Sequence, residues 1–374
     1  MHCARVRFFA SATLLDSLIF PRAGCVALAI LLSGCSLGSV TQRVFPMMEK
    51  ATTETRYSLI YVIHGDGDYL YHDEAGRAFQ ADREALARAV EVAEQNPSAE
   101  VFIFHERSRR RFLGLRLPGR DGRLLFYRGG RLEAEAEYRR DPGAARFDPV
   151  EELYRRFSTP GDSIPTRAFL YFGHEIPEFG GIGYDRSYRN SSFTVDDLAA
   201  GLGRLTTDST RFDLVVLSTC YGGTPYTVRA LAPYSHTIVA SPETLHLGYF
   251  DQGAFERLDV TWPVGETTRF ARQFAGQAFE RLANAVETVV SVAVYDIDRL
   301  RGSLSALDPD RFRYPSDGEY PPFSKSTRFD CADDPASAIS DLQDGVDVLF
   351  RPAQFGRQQS KSSHSGWQCR AIIK

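Results

Sequence analysis

Six short, almost wholly apolar runs recur along the chain: YSLIYVI (Tyr57 to Ile63), EVFIF (Glu100 to Phe104), RAFLYF (Arg167 to Phe172), DLVVL (Asp213 to Leu217), HTIVA (His236 to Ala240) and TVVSVAVYDI (Thr288 to Ile297). A strand with one wet face alternates polar and apolar residues, whereas a strand covered on both faces is apolar throughout. The runs therefore predict a mostly parallel six-stranded sheet with helices packed on both sides, an α/β architecture. The intervening sequence agrees, with helical patterns over Phe79 to Gln95, Asp148 to Phe157, Thr194 to Gly203, Thr224 to Leu231 and Glu266 to Val286. Thr194 is placed to cap its helix, with Asp196 and Asp197 in the electropositive first turn. The stretch from Phe112 to Tyr127 alternates around PGRDG (Pro118 to Gly122) and predicts a hairpin beside the sheet.

With 374 residues, 43% of them hydrophobic, the chain can bury a core of that size. A net charge of -4 lacks the basic surplus that phosphate neutralisation requires, so nucleic acid is not an expected partner, and ERSRRR (Glu106 to Arg111) reads as a solvated face.

The first residues are of another kind. Arg5, Arg7 and Arg22 precede AGCVALAILL (Ala23 to Leu32), which is shorter than the roughly 20 residues a bilayer span needs and reads as an export signal. LSGC (Leu32 to Cys35) resembles the bacterial lipobox, so residues 1–34 are expected to be removed and Cys35 to be lipidated, anchoring the protein in the bacterial cell envelope. Residues 35–55 then form a polar tether. Cys3 and Cys25 leave with the signal, and in an oxidising compartment Cys331 and Cys369 can pair, closing a loop-rich extension over residues 309–374. Cys220 remains as the odd thiol.

Cys220 does not sit inside an apolar run, as a packing cysteine would, but just past one, in STCYGG (Ser218 to Gly223). His174 follows the preceding apolar run in the same way. In an open parallel sheet the loops after the strands converge at one edge, so the two are expected to meet there as a Cys-His dyad. Backbone N–H groups of Cys220 and near Glu175 would hold an oxyanion, and Gly222 and Gly223 would let a substrate main chain approach closely.

Five segments, SLIYVIHGDGDYL, RAFLYFGHEIPEFGG, FDLVVLSTCYGGTPYTVRAL, SHTIVASPETL and SVAVYDIDRL, occur in an order that resembles the clostripain family of cysteine peptidases, over roughly Tyr57 to Leu307. The resemblance implies a caspase-like and gingipain-like fold over residues 56–308. It also implies an endopeptidase that acts on polypeptides through His174, Cys220 and a thioester, cutting after Arg or Lys. Maturation by cleavage between the histidine and cysteine strands is also implied, with Arg186 and Arg189 as sites. Two departures stand out. Glu175, Ile176 and Pro177 occupy positions where the family usually has glycines, and Ser218 stands where it usually has the aspartate that receives a basic side chain. Glu243 and Asp251, in the loop after the fifth strand, are the substitutes considered for that charge.

Three other readings stand beside this one. Ser218-x-Cys220-x-Gly222 imitates an α/β-hydrolase elbow and Ile63 to Gly67 its oxyanion loop, with Asp251 and either His364 or His246 completing an esterase triad. The caspase-like sheet can also serve a surface lipoprotein as a binding module. HGDGDYLYHD (His64 to Asp73) carries metal-donor side chains at His64, Asp66, Asp68, His72 and Asp73, but reads first as a Gly/Asp turn after a strand. No cofactor is expected, and calcium has no residue set to place it.

Overall fold

The structure is a computed structural model. It describes residues 40–44 and then 54–370, apart from 66–68, 73–75, 77, 109–110, 113–114, 117–118, 141–145, 160–163, 181–183, 186–187, 189–190, 207–209, 246–248, 308–327 and 334–338. Cys35, Asp66, Asp68, Asp73, Arg186, Arg189 and His246 lie outside the described residues. Along the chain the first elements are β1 (Val40–Val44), β2 (Tyr57–His64), the pair β3 (Leu70–His72) and β4 (Ala78–Gln80), and α1 (Ala81–Gln95). There follow β5 (Ala99–Glu106), the two-residue strands β6 (Arg111–Phe112) and β7 (Leu115–Arg116), β8 (Gly122–Arg128), β9 (Arg131–Tyr138) and α2 (Asp148–Phe157). The central part holds β10 (Thr166–Phe172), α3 (Val195–Leu205), β11 (Phe212–Ser218), α4 (Pro225–Leu231) and β12 (Ser235–Ala240). The rest comprises α5 (Leu258–Thr261), α6 (Thr267–Ala285), β13 (Val290–Asp296), α7 (Ile297–Ala306), β14 (Arg328–Asp330), β15 (Val346–Arg351) and β16 (Gln368–Arg370).

The main sheet has ten strands in the order β1-β9-β8-β5-β2-β10-β11-β12-β13-β15. The six apolar runs form its uninterrupted middle, with β5, β2, β10, β11 and β12 parallel and β13 antiparallel. Because side chains alternate across a pleat, this middle divides two cores. Leu59, Tyr61, Ala168, Leu170, Leu214 and Val216 pack on one side with α1 and α6, through Ala85, Ala89, Phe270 and Phe274. Ile60, Val62, Phe169, Tyr171, Val215 and Leu217 pack on the other with α2, α3, α4 and α7, through Leu153, Leu198, Val228 and Leu300. Truncating one such buried leucine to alanine costs about 2–5 kcal/mol. Thr194 caps α3 as expected, accepting from the Asp197 N–H while the Asp197 carboxylate accepts from the Thr194 N–H.

The hairpin differs from expectation. It is β8 paired with β9, continuing the sheet past β5, and it turns at Gly129 and Gly130, whose φ values are 62° and 76°. Two consecutive residues in the left-handed region make the tight turn that matches strand twist, and glycine adopts that region without strain. In β9 (RLEAEAEY) Ala134 and Ala136 are buried, while Glu133 and Glu135 pair across the strands with Arg128 at 3.3 Å and Arg123 at 2.9 Å. The sheet's edges come from segments expected to lie outside it. β1, from the predicted tether, pairs with β9, and β15, from the predicted loop-rich extension, pairs with β13. The expected Cys331 to Cys369 disulfide is present. No helix among the described residues is long and apolar enough to cross a membrane.

Candidate active site

Phe172 and Ser218 are register partners at the ends of β10 and β11, and the Gly173 N–H donates to the Ser218 carbonyl at 3.2 Å. His174 and Cys220 each lie two residues past that pair. Adjacent strands run about 4.8 Å apart, so the loops that carry His174 and Cys220 start side by side at the same edge of the sheet.

Cys220 is partly buried, its Sγ accepting the Leu245 N–H at 3.3 Å. Burial pushes its thiol up to about 11, the Leu245 N–H and Arg328 pull it down, and Glu175 adds to the rise. The next residue, Tyr221, has φ 53° and is the one non-glycine with positive φ among the described residues. A side chain held in the left-handed region costs about 1–3 kcal/mol and persists only where its surroundings over-determine it. Here the Tyr221 N–H donates to the Glu243 carbonyl at 3.0 Å, and its hydroxyl accepts from Thr244 Oγ1 at 2.7 Å.

His174 stacks on Tyr69, with centroids 4.1 Å apart and planes 17° apart, and presents an edge to His64 at 6.4 Å. His64 ends β2, the strand on the far side of β10 from β11. Its Nε2 lies 2.9 Å from the Asp185 carboxylate and its Nδ1 lies 3.4 Å from the Tyr69 hydroxyl, which fits a neutral ring with the proton on Nε2. Burial and then Arg146 lower the His64 pKa, against the pull of Asp185. Arg140 reaches Asp185 at 2.8 Å and Glu106 at 3.6 Å, and Arg146 pairs with Glu106. Burial alone would raise both carboxylates; the His64 hydrogen bond, then Arg140 and Arg146, hold Asp185 below its usual range, and Arg146 and Arg140 do the same for Glu106. Sequence reasoning weighed His64 as a metal donor and as part of an oxyanion-loop stretch, and did not place it beside His174. Its signal as part of the site was its position, the last residue of a buried strand adjoining the histidine strand.

Several expected roles are corrected. Ser218 is fully buried and its Oγ accepts the Phe250 N–H at 2.6 Å, so it fastens the loop after β12 and does not line a substrate pocket. Glu243 is buried with Oε1 3.5 Å from His364 Nε2, and therefore does not supply a free acid. Asp251 closes a turn, accepting the Gly253 N–H at 2.9 Å. Gly222 and Gly223 are buried against protein. A Cβ on Gly223 would fall 2.2 Å from the Tyr295 hydroxyl, and one on Gly222 would fall 3.2 Å from the Ala240 and Leu217 Cβ atoms. Their missing side chains let the cysteine turn pack onto β12 and β13, leaving no room there for a substrate strand. His364 faces Glu243 and Asp330 in place of Asp251, which removes the support for an esterase triad through His364. Among the described residues no group of three or more His, Cys, Asp or Glu side chains could hold a metal ion.

Glu175, expected to contribute through its backbone, also has a side-chain role. Its carboxylate is shared by Arg328 and by Arg370, the latter at 2.6 Å, and the Arg328 guanidinium lies 3.7 Å over the Tyr221 ring. Both arginines come from the C-terminal segment, where no periodicity marked them.

Neither a family model nor a curated protein matches the chain. Solved structures do. One is an inactive zymogen of a C11 protease from Parabacteroides distasonis, with TM-score 0.54, 12% identity, and 86% of this chain and 93% of that chain covered. Another is the secreted C11 cysteine protease "iotapain" from Bacteroides thetaiotaomicron, with TM-score 0.56, 11% identity, and coverage of 84% and 93%. A secreted C11 cysteine protease from the same organism, in complex with an irreversible peptide inhibitor, matches with TM-score 0.52 at 12% identity over 85% and 89%. At such identities the likeness is one of architecture, and the chain has the fold of the C11, clostripain-type cysteine proteases.

Proposed function

We propose that this protein is a cysteine endopeptidase with Cys220 as nucleophile and His174 as its acid-base partner. The register of Phe172 with Ser218 supports the reading, because the loops that carry His174 and Cys220 leave adjacent strands at one edge of the sheet. Burial pushes the thiol up to about 11, so Cys220 rests protonated at pH 7 and attack requires a base to take its proton. His174 takes that proton while Sγ attacks the peptide carbonyl carbon, and returns it to the amine as the C–N bond breaks. Water, deprotonated by the same imidazole, then cleaves the thioester and restores the thiol. The Tyr69 face and the His64 edge fix the plane of the His174 ring for these transfers.

The resemblance to clostripain carries a preference for Arg or Lys before the scissile bond. In this chain Ser218, Glu243 and Asp251 are all engaged within the protein, and Glu175 is matched by two arginines. The proposal is accordingly an endopeptidase without a dedicated acidic pocket at those positions. Lipid anchoring through Cys35 in the cell envelope is proposed with it, and the Cys331 to Cys369 bridge supports an oxidising compartment.

Digestion of a mixed peptide library by the full chain and by its Cys220→Ala form tests the function. Cleavage by the first and none by the second is expected. Equal patterns from both would remove the assignment.

A further inference from the structure

β14 and β16 form a two-stranded antiparallel arm in which Arg328 and Arg370 stand directly opposite one another. Like charges at opposed positions repel, so such a pair needs an anion between them. Glu175 is that anion, accepting from both guanidinium groups. The arm is closed by the Cys331 to Cys369 bond and pinned to the cysteine turn by the Gln368 N–H, which donates to the Gly223 carbonyl at 3.0 Å. Thus one arm grips the residue after His174 and two residues of the turn after Cys220.

Resting on the peptidase reading, we propose that this disulfide-closed arm is a positioning element for the reacting pair, and that Arg328 is its principal residue. Arg328 touches both sides of the site, the Glu175 carboxylate and the Tyr221 ring. Its stacking adds to the restraints that keep Tyr221 at positive φ, the conformation that turns the chain immediately after Cys220. Arg328 also lowers the Cys220 pKa, partly offsetting the larger rise that Glu175 adds, so the guanidinium shields the sulfur from that carboxylate. Arg370 has a smaller part, because its Glu175 contact can be lost while Arg328 keeps both of its own.

The test uses the full chain and its Arg328→Gln, Arg328→Lys and Arg370→Gln variants. Three quantities are read: kcat and KM on a cleaved peptide, the pH dependence of Cys220 alkylation by iodoacetamide followed on the Cys220 peptide by mass spectrometry, and thermal unfolding. Arg328→Gln is expected to lower kcat at least tenfold with KM changed less than about threefold, and to slow alkylation at pH 8 by about three- to tenfold. Arg328→Lys restores the alkylation profile, through its charge, more fully than kcat, which also needs the planar stacked fork. Arg370→Gln moves both quantities in the same direction by less. A folded Arg328→Gln protein with wild-type kcat and a wild-type alkylation profile overturns the proposal while leaving the peptidase intact. Should that variant not fold, a wild-type kcat and alkylation profile in both Arg328→Lys and Arg370→Gln overturns it equally. If no form cleaves peptides yet the alkylation profile follows Arg328, the peptidase reading fails and the positioning role stands.

Discussion

Phe172 and Ser218 are paired across two parallel strands, and the residues two places beyond them are His174 and Cys220. Nothing about either residue alone would mark a reactive centre. Their shared register makes them a candidate pair, since both loops leave the sheet at the same level, with the strained turn at Tyr221 following Cys220.

The thiol should titrate late. With burial pushing Cys220 up from 9.0 to about 11, alkylation of the resting chain should keep accelerating from pH 7 to pH 10 without a plateau. The folded state holds this proton more tightly than the unfolded state. The contribution to stability is therefore complete below the unfolded thiol pKa and declines as pH rises through 11. A plateau in alkylation rate below pH 8 would contradict the buried setting.

Ser218→Ala should lower stability by about 1–3 kcal/mol, because the Phe250 N–H loses its acceptor in a fully buried place. The pattern of preferred cleavage residues should not change, since the hydroxyl faces the protein. Denaturant melts and library profiles of the two proteins check both halves.

Asp185→Ala should cost about 3–5 kcal/mol, by removing the shortest ion pair of buried Arg140 and leaving the His64 N–H without its acceptor. The held-down carboxyls of Asp185 and Glu106 add a pH signature. Groups whose folded pKa is lowered stabilise above their unfolded values, so this contribution is present above about pH 4 and is lost as the pH falls below it. Acid titration should show a smaller loss in the variant than in the wild type.

Replacing Cys331 and Cys369 together by alanine should destabilise the protein by about 3–4 kcal/mol, the loop-closure value for a separation of 38 residues. Calorimetry of oxidised wild type against the double variant measures it.

The middle of the sheet was legible because strands buried on both faces leave unbroken apolar runs, and β2, β10, β11 and β12 all do. β9 was not, because RLEAEAEY alternates glutamate with small residues and owes its strand form to pairing with β8 and to cross-strand arginines. β15 is only partly buried along its length and lies in a segment rich in turns. At the site, His174 and Cys220 could be read from their places after two apolar runs. The roles of Gly222, Gly223 and Ser218 could not, because only the folded turn shows them facing inward. Arg328 and Arg370 gave no local signal at all. A disulfide and a short strand pair bring them to Glu175 from 153 and 195 residues away in the sequence.

The most direct measurement is stoichiometric labelling of the full chain by a peptidyl acyloxymethyl ketone at pH 7.5, with the modified residue located by mass spectrometry, in the wild type, His174→Ala and Cys220→Ala proteins. One label per chain on Cys220, slowed at least about a hundredfold without His174 and absent without Cys220, is the predicted result. Labelling of folded protein that ignores His174, or that never reaches Cys220, would contradict the account.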